Sequence, residues 1–252
     1  ELHLGTTRKP PVWYTQLESF TFEVSVDSAI RIAGLQFRYR QGPEILNIGQ
    51  LDIKAGSRTF LYGPSGSGKT TLLGIITGIL DYQQGSVQVL GQELKELLSR
   101  KRDRFRGSQL GYIFQMFNLV PYLSVKDNIT LPCQMIAERR SRVDNIDEAC
   151  GTIAEHLEIG DLLDKAVTEL SVGQQQRVAA ARALMGSPPL IVADEPTSAL
   201  DWDRREAFLK LLFAQAEQQG STVLFVSHDQ SLKGMFDQQI ALTDINKEAV
   251  VS

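Results

Sequence analysis

The run Gly63, Pro64, Ser65, Gly66, Ser67, Gly68, Lys69, Thr70 limits this chain more than any other feature, because it meets the pattern GxxxxGK[ST] at every fixed position. It is entered from the short apolar segment Thr59 to Tyr62 and left through Lys69 to Ile76, where Thr71, Leu72, Leu73, Ile75 and Ile76 read as a helix. A strand, a tight loop and a helix are expected in succession. Glycines let backbone N–H groups curl around phosphate oxygens, and the helix N-terminus adds partial positive charge. In such a loop Lys69 spans the β- and γ-phosphates of a nucleotide and the Thr70 hydroxyl reaches Mg²⁺. The loop alone also suits kinases, GTPases and helicases, so the reaction has to be read from other residues.

Those residues follow the apolar run Leu190, Ile191, Val192, Ala193, which ends on Asp194 and Glu195. A buried parallel strand would carry both acids to the edge where the phosphate loop lies. Asp194 then holds Mg²⁺, directly or through water, and Glu195 polarises the attacking water. The structural alternative, two acids that merely cap the next helix, is weakened by the phosphate loop upstream.

Composition narrows the setting. With 252 residues, 42% hydrophobic and 22% charged, the chain has the apolar content of a folded α/β domain. The net charge of −4 argues against a nucleic-acid partner. The cluster Arg100, Lys101, Arg102, Arg104, Arg106 reads as a solvated helix face. Cys133 and Cys150 form no metal-binding spacing and fit reduced thiols of an intracellular chain. No apolar stretch approaches the roughly 20 residues that span a bilayer, and the start at Glu1 has no signal-peptide pattern, so membrane contact is expected only through a partner.

Residues 1–28 read as a leader of unknown role, irregular at first and alternating as a strand from Phe20 to Val26. Ile30 to Tyr39 and Ile45 to Ile53 suggest antiparallel strands in a β-rich flank. Ser124 to Asp164 is rich in helix formers and suggests a helical insertion. Thr222 to Val226, apolar throughout, returns to the parallel sheet.

Leu170, Ser171, Val172, Gly173, Gln174, Gln175, Gln176, Arg177 resembles the signature peptide of ATP-binding cassette (ABC) proteins, an element that P-loop kinases and GTPases lack. The order of the other motifs is similar to that family as well. Gln115 resembles the Q-loop glutamine, Asp201 after Ser198 the D-loop, and His228 the switch histidine; the matched motifs run from about Ile30 to Ala241. The resemblance implies an α/β fold with a P-loop NTPase core, a mostly parallel sheet, an antiparallel β flank and a helical subdomain at about residues 116–180, all within an ATP-binding domain over residues 29–252. It implies ATP and Mg²⁺ as cofactors, with Thr70, Gln115 and Asp194 around the metal. Glu195 is the principal base, and His228 and Gln115 face the γ-phosphate. Gly63, Pro64, Ser65, Gly66, Ser67, Gly68, Lys69, Thr70 and Thr71 hold the phosphates, and Tyr39, or Phe37 in its place, stacks on adenine. Ser171, Gly173, Gln174 and Asp201 act on the nucleotide of a second copy, because the family sandwiches two nucleotides between two such domains.

Val172 departs from the family pattern, which has glycine there; a valine is tolerated provided its φ stays negative. The stretch Gly111 to Pro132 is most similar to the MacB/LolD branch of macrolide-export and lipoprotein-releasing ATPases. This implies an integral membrane partner, export or mechanotransmission, and a peripheral position on the cytoplasmic side of a bacterial inner membrane, with Phe117, Leu119 and Tyr122 either walls for the partner's coupling helix or ordinary core. A signalling ATPase of the FtsE kind, and a soluble iron–sulfur assembly factor, are the alternatives.

Overall fold

The computed structural model describes residues 28–40, 42–198 and 202–247. The strand expected at Phe20 to Val26 and the D-loop residue Asp201 lie outside these residues. Two sheets organise the rest. The first is antiparallel, in the order β2-β1-β4-β5, from β1 (Ser28–Arg38), β2 (Glu44–Lys54), β4 (Gln84–Val89) and β5 (Gln92–Glu93). The second is parallel, in the order β6-β7-β8-β3-β9, from β3 (Arg58–Tyr62), β6 (Leu110–Ile113), β7 (Leu190–Asp194), β8 (Thr222–Ser227) and β9 (Gln238–Ala241).

Successive residues of a strand point to opposite faces, and the parallel strands use this to divide the core in two. Leu61, Leu190, Val192, Leu224 and Val226 face the antiparallel sheet, with helix α1 (Lys69–Ile76) packed between them through Leu72, Leu73, Ile75 and Ile76. Phe60, Ile191, Ala193, Val223 and Phe225 face the helical side. That side is built from α3 (Val125–Met135), α5 (Ile146–His156), α6 (Val172–Leu184) and α7 (Trp202–Gln218). Both faces of β7 and β8 are therefore covered, which is why these strands read as unbroken apolar runs. The basic cluster lies on α2 (Ser99–Gln109), where Arg102 pairs with Asp81, Arg104 with Glu138 and Arg106 with Asp103.

The short helix α4 (Ala137–Arg140) is fastened to this frame by a buried guanidinium. Arg139 donates to the carbonyls of Gly107 (3.0 Å), Ala183 (3.1 Å), Met185 (2.7 Å) and Leu110. Burial, with Arg142 adding to it, pushes its pKa down to about 10, so the group stays charged at neutral pH. Arg139→Met would strand four buried carbonyls and is expected to cost about 3–5 kcal/mol of stability, read as a lowered denaturant midpoint at unchanged slope.

Candidate nucleotide site

Four neighbouring parallel strands release their chains at the same edge. Ile113 of β6 is level with Ala193 of β7, Asp194 with Val226 of β8, and Ser227 with Tyr62 of β3. Gln115, Asp194, Glu195, His228 and the phosphate loop thus emerge together, at the carboxyl ends where open α/β sheets bind ligands.

The phosphate loop owes its shape to glycines at two left-handed positions, Gly66 (φ 80°) and Gly68 (φ 98°), the latter serving as N-cap of α1. A Cβ at Gly68 would sit 2.8 Å from Leu46 Cδ2, and one at Gly63 would sit 2.7 Å from Ser67 Oγ. That Ser67 hydroxyl is buried without a hydrogen-bond partner, an orphaned polar atom within the loop. Lys69 is buried to 8% exposure, its Nζ donating to the carbonyls of Gly63 (2.8 Å) and Pro64 (3.0 Å) and lying 3.8 Å from Glu195 Oε1.

Glu195 occupies the left-handed region at φ 45°, unusual for a residue with a Cβ. Its N–H donates to the Val226 carbonyl at 2.8 Å, and its Oε2 lies 2.8 Å from His228 Nδ1. The turn after β7 therefore trades backbone strain for a carboxylate directed at both the lysine and the imidazole. Asp194 behaves differently. Burial pushes its pKa up and the neighbouring Glu195 charge adds to this, while the Tyr112 hydroxyl and Lys69 oppose. Tyr112 Oη donates to Asp194 Oδ2 at 3.4 Å. Sequence reasoning missed this contact, since a tyrosine in an apolar strand reads as core.

Among the expected adenine contacts, Phe37 is buried and Tyr39 is half exposed, its ring set edge-on to Phe37 at 4.9 Å and its hydroxyl 3.3 Å from Thr71 Oγ1. Tyr39 is the aromatic face open beside the first turn of α1. Tyr39→Ala is expected to weaken adenine-nucleotide binding by about 1–3 kcal/mol, measured by titration with a fluorescent ATP analogue. Unchanged affinity would place the stacking ring elsewhere.

Ser171, Gly173 and Gln174 stand apart. Ser171 is the N-cap of α6, where its Oγ accepts from Gln174 N (3.4 Å) and its own N–H donates to Gln174 Oε1 (2.9 Å), a reciprocal capping box. Val172 is half exposed and is not among the residues of positive φ, so the first turn of α6 forms as it would with glycine. No hydrogen bond among the described residues joins this cap to the phosphate loop. The expected docking wall needs correction: Phe117 is buried in the helical-side core and Leu119 packs against it, because the turn after Gln115 folds inward, while Tyr122 is 86% exposed.

The comparisons bear on the family and the fold. The family model described as ABC transporter matches residues 46–198. The ABC transporter ATP-binding protein YbbA of Escherichia coli K12 is 37% identical over 195 residues, 77% of this chain and 84% of that protein. The macrolide export ATP-binding/permease protein MacB of Rhodopirellula baltica is 36% identical over 219 residues, 85% of this chain but 32% of the relative. Among solved structures, the dimeric post-hydrolysis state of the ATP-binding cassette MJ0796, bound to ADP and Pi, aligns with a TM-score of 0.71 at 35% identity, covering 85% of this chain and 94% of that one. The phosphate loop, the paired acids and the signature cap all stand on the fold these proteins share, and the chain belongs to the ABC transporter family as its ATP-binding, ATP-hydrolysing component.

Proposed function

We propose that this chain drives a membrane-spanning partner as one half of an ATP-bridged dimer, with Glu195 as the general base. One observation carries the reading: the Glu195 carboxylate stands between His228 Nδ1 at 2.8 Å and Lys69 Nζ at 3.8 Å, at the mouth of the phosphate loop. A carboxylate so held accepts a proton from water while His228 orients water and phosphate. Lys69, the orphaned Ser67 hydroxyl and the loop N–H groups hold the β- and γ-phosphates, and Tyr39 stacks on the base.

Magnesium fits the residues around the loop. It is a hard cation usually bound by one or two carboxylates together with phosphate oxygens, and Asp194, the exposed Thr70 hydroxyl and the Gln115 side-chain carbonyl supply oxygen only. When bound, the ion neutralises charge on the phosphates.

The dimer reading rests on the position of the signature. Ser171 lies 11 residues before Arg182 on α6, and Arg182 touches the Gln115 turn. At 1.5 Å per residue the cap is about 16 Å along the helix from that turn. A cap set that far from the Gln115 turn suits a nucleotide held by a second copy, and MJ0796 is dimeric in the structure cited above. Asp201 is assigned to the same interface.

The membrane partner is supported by the permease portion in MacB's name, and the exposed apolar side chains Leu98, Met116, Tyr122 and Met135 are offered as its contact candidates. No helix among the described residues is long and apolar enough to cross a membrane. We place the chain on the cytoplasmic side of a bacterial inner membrane, working in the manner of the MacB/LolD branch, with the helical subdomain at about residues 116–180 receiving the partner. Purification from detergent-solubilised native membranes tests this. An attached integral membrane protein identified by mass spectrometry supports it, and soluble partners alone would overturn it.

A further inference from the structure

We propose that Arg182 is a positioning residue for Gln115: from the far end of the signature helix it clamps the turn that presents this glutamine to the nucleotide. The inference rests on the role given to Gln115 above.

The turn is Phe114 to Phe117, closed by Phe117 N donating to Phe114 O at 3.0 Å, and Gln115 and Met116 are its two exposed central residues. The next N–H, of Asn118, donates to Met116 O at 2.6 Å. Phe117 (φ 58°) and Asn118 (φ 49°) are consecutive non-glycine residues in the left-handed region. Asparagine tolerates that region and phenylalanine does not, so the segment needs an outside restraint to hold its shape. Arg182 supplies it. Its Nη2 donates to the Phe117 carbonyl at 2.6 Å and its Nη1 to the Asn118 carbonyl at 2.7 Å. A planar fork bridging two successive carbonyls fixes orientation as well as distance, and an ammonium on a flexible stem cannot copy it.

The support itself is rigid. A Cβ at Gly111 would collide with the Ala183 carbonyl, so α6 rests directly on the backbone of β6 three residues before the turn begins. On the other side the buried Phe117 ring anchors the turn in the core. Gln115 is thus held by β6 before it and by Phe117 and Arg182 after it, and Arg182 belongs to the helix that Ser171 opens. Burial lowers the Arg182 pKa, and its guanidinium is spent on the two carbonyls. Nucleotide contacts at Gln115 and signature contacts at Ser171 are in this way mechanically joined through one helix.

Arg182→Lys and Arg182→Gln in the full chain test the proposal beside Gln115→Ala. A displaced Gln115 is expected to lower kcat on the order of 10- to 100-fold, while ATP affinity and binding stoichiometry stay at their wild-type values and the melting temperature falls only modestly, because the freed carbonyls are open enough to be rehydrated. Hydrogen exchange is expected to quicken across residues 114–120. An unchanged kcat in both Arg182 variants, with Gln115→Ala impaired, would overturn the inference and leave the Gln115 role standing. Loss of binding stoichiometry in both variants would also overturn it, by making Arg182 a residue of folding alone. A fully active Gln115→Ala would instead remove the role on which the proposal rests.

Discussion

Glu195→Gln is expected to slow ATP hydrolysis by about 10²–10⁴-fold while leaving nucleotide binding in place. The substitution is close to isosteric. The Glu195 backbone angle of 45° and its N–H bond to Val226 are set by the turn after β7, and an amide oxygen still meets His228 Nδ1 where Oε2 now stands at 2.8 Å. What is lost is basicity, so the attacking water is no longer deprotonated. The phosphate loop and Lys69 are untouched, and the ATP-bridged dimer should accumulate instead of dissociating after turnover. Single-turnover phosphate release measures the first effect, and size-exclusion chromatography with ATP measures the second. A variant that hydrolyses at the wild-type rate would take Glu195 out of its assigned role. One that fails to dimerise with ATP would count against the bridged dimer and leave the base assignment intact.

Lys69→Ala is expected to act one step earlier, on binding. The ammonium is buried, held by the carbonyls of Gly63 and Pro64 and close to Glu195. Each charge-assisted bond lost to phosphate is worth about 1.5–3 kcal/mol, so ATP affinity should fall by about a hundredfold. The partly buried Glu195 carboxylate is also left without the Lys69 ammonium, which raises the cost of adding a triphosphate beside it. Direct calorimetric titration reads the affinity. The ATP-induced rise in melting temperature should vanish with it, since ligand stabilisation follows occupancy. Unchanged affinity would contradict the assignment, while a variant that has lost its melting transition without nucleotide would show Lys69 to be needed for folding.

The two substitutions are expected to differ because the proposed role of Lys69 is to grip phosphate before the reaction and that of Glu195 to act on water during it. Both proposals start from sequence signals of the same kind. The chemistry of Gly63 to Thr70, and of Leu190 to Glu195, is carried by residues adjacent in the chain, where glycine spacing and a continuous apolar run translate directly into backbone shape. Helix α1 begins at Lys69 and β7 ends at Asp194, as local pattern predicts. Ser171 caps α6 with Gln174 three residues on, again a local device.

Elements with weak local signals were not legible. Strand β4, with its polar Gln84, Ser86 and Gln88, follows no apolar run and exists because β1 pairs with it on one side. Phe117 reads equally as a wall for a partner and as core, and its ring turns into the core where two left-handed residues reverse the chain. Arg139 and Arg142 read as surface charges among helix formers, and Arg139 is instead buried against four carbonyls from α2, β6 and the end of α6.

By itself, then, the sequence determined the phosphate loop, the paired acids, the signature cap and the family to which they belong. Only the tertiary structure decided that Gln115, Glu195 and His228 share one strand edge, that Tyr112 reaches Asp194 across 82 residues, and that Arg182 grips the turn beside Gln115. Local motifs are written in backbone propensity and spacing. Contacts between distant residues depend on strand order and on which side chains the core takes in, and both emerge only when the two sheets and the helices close on one another.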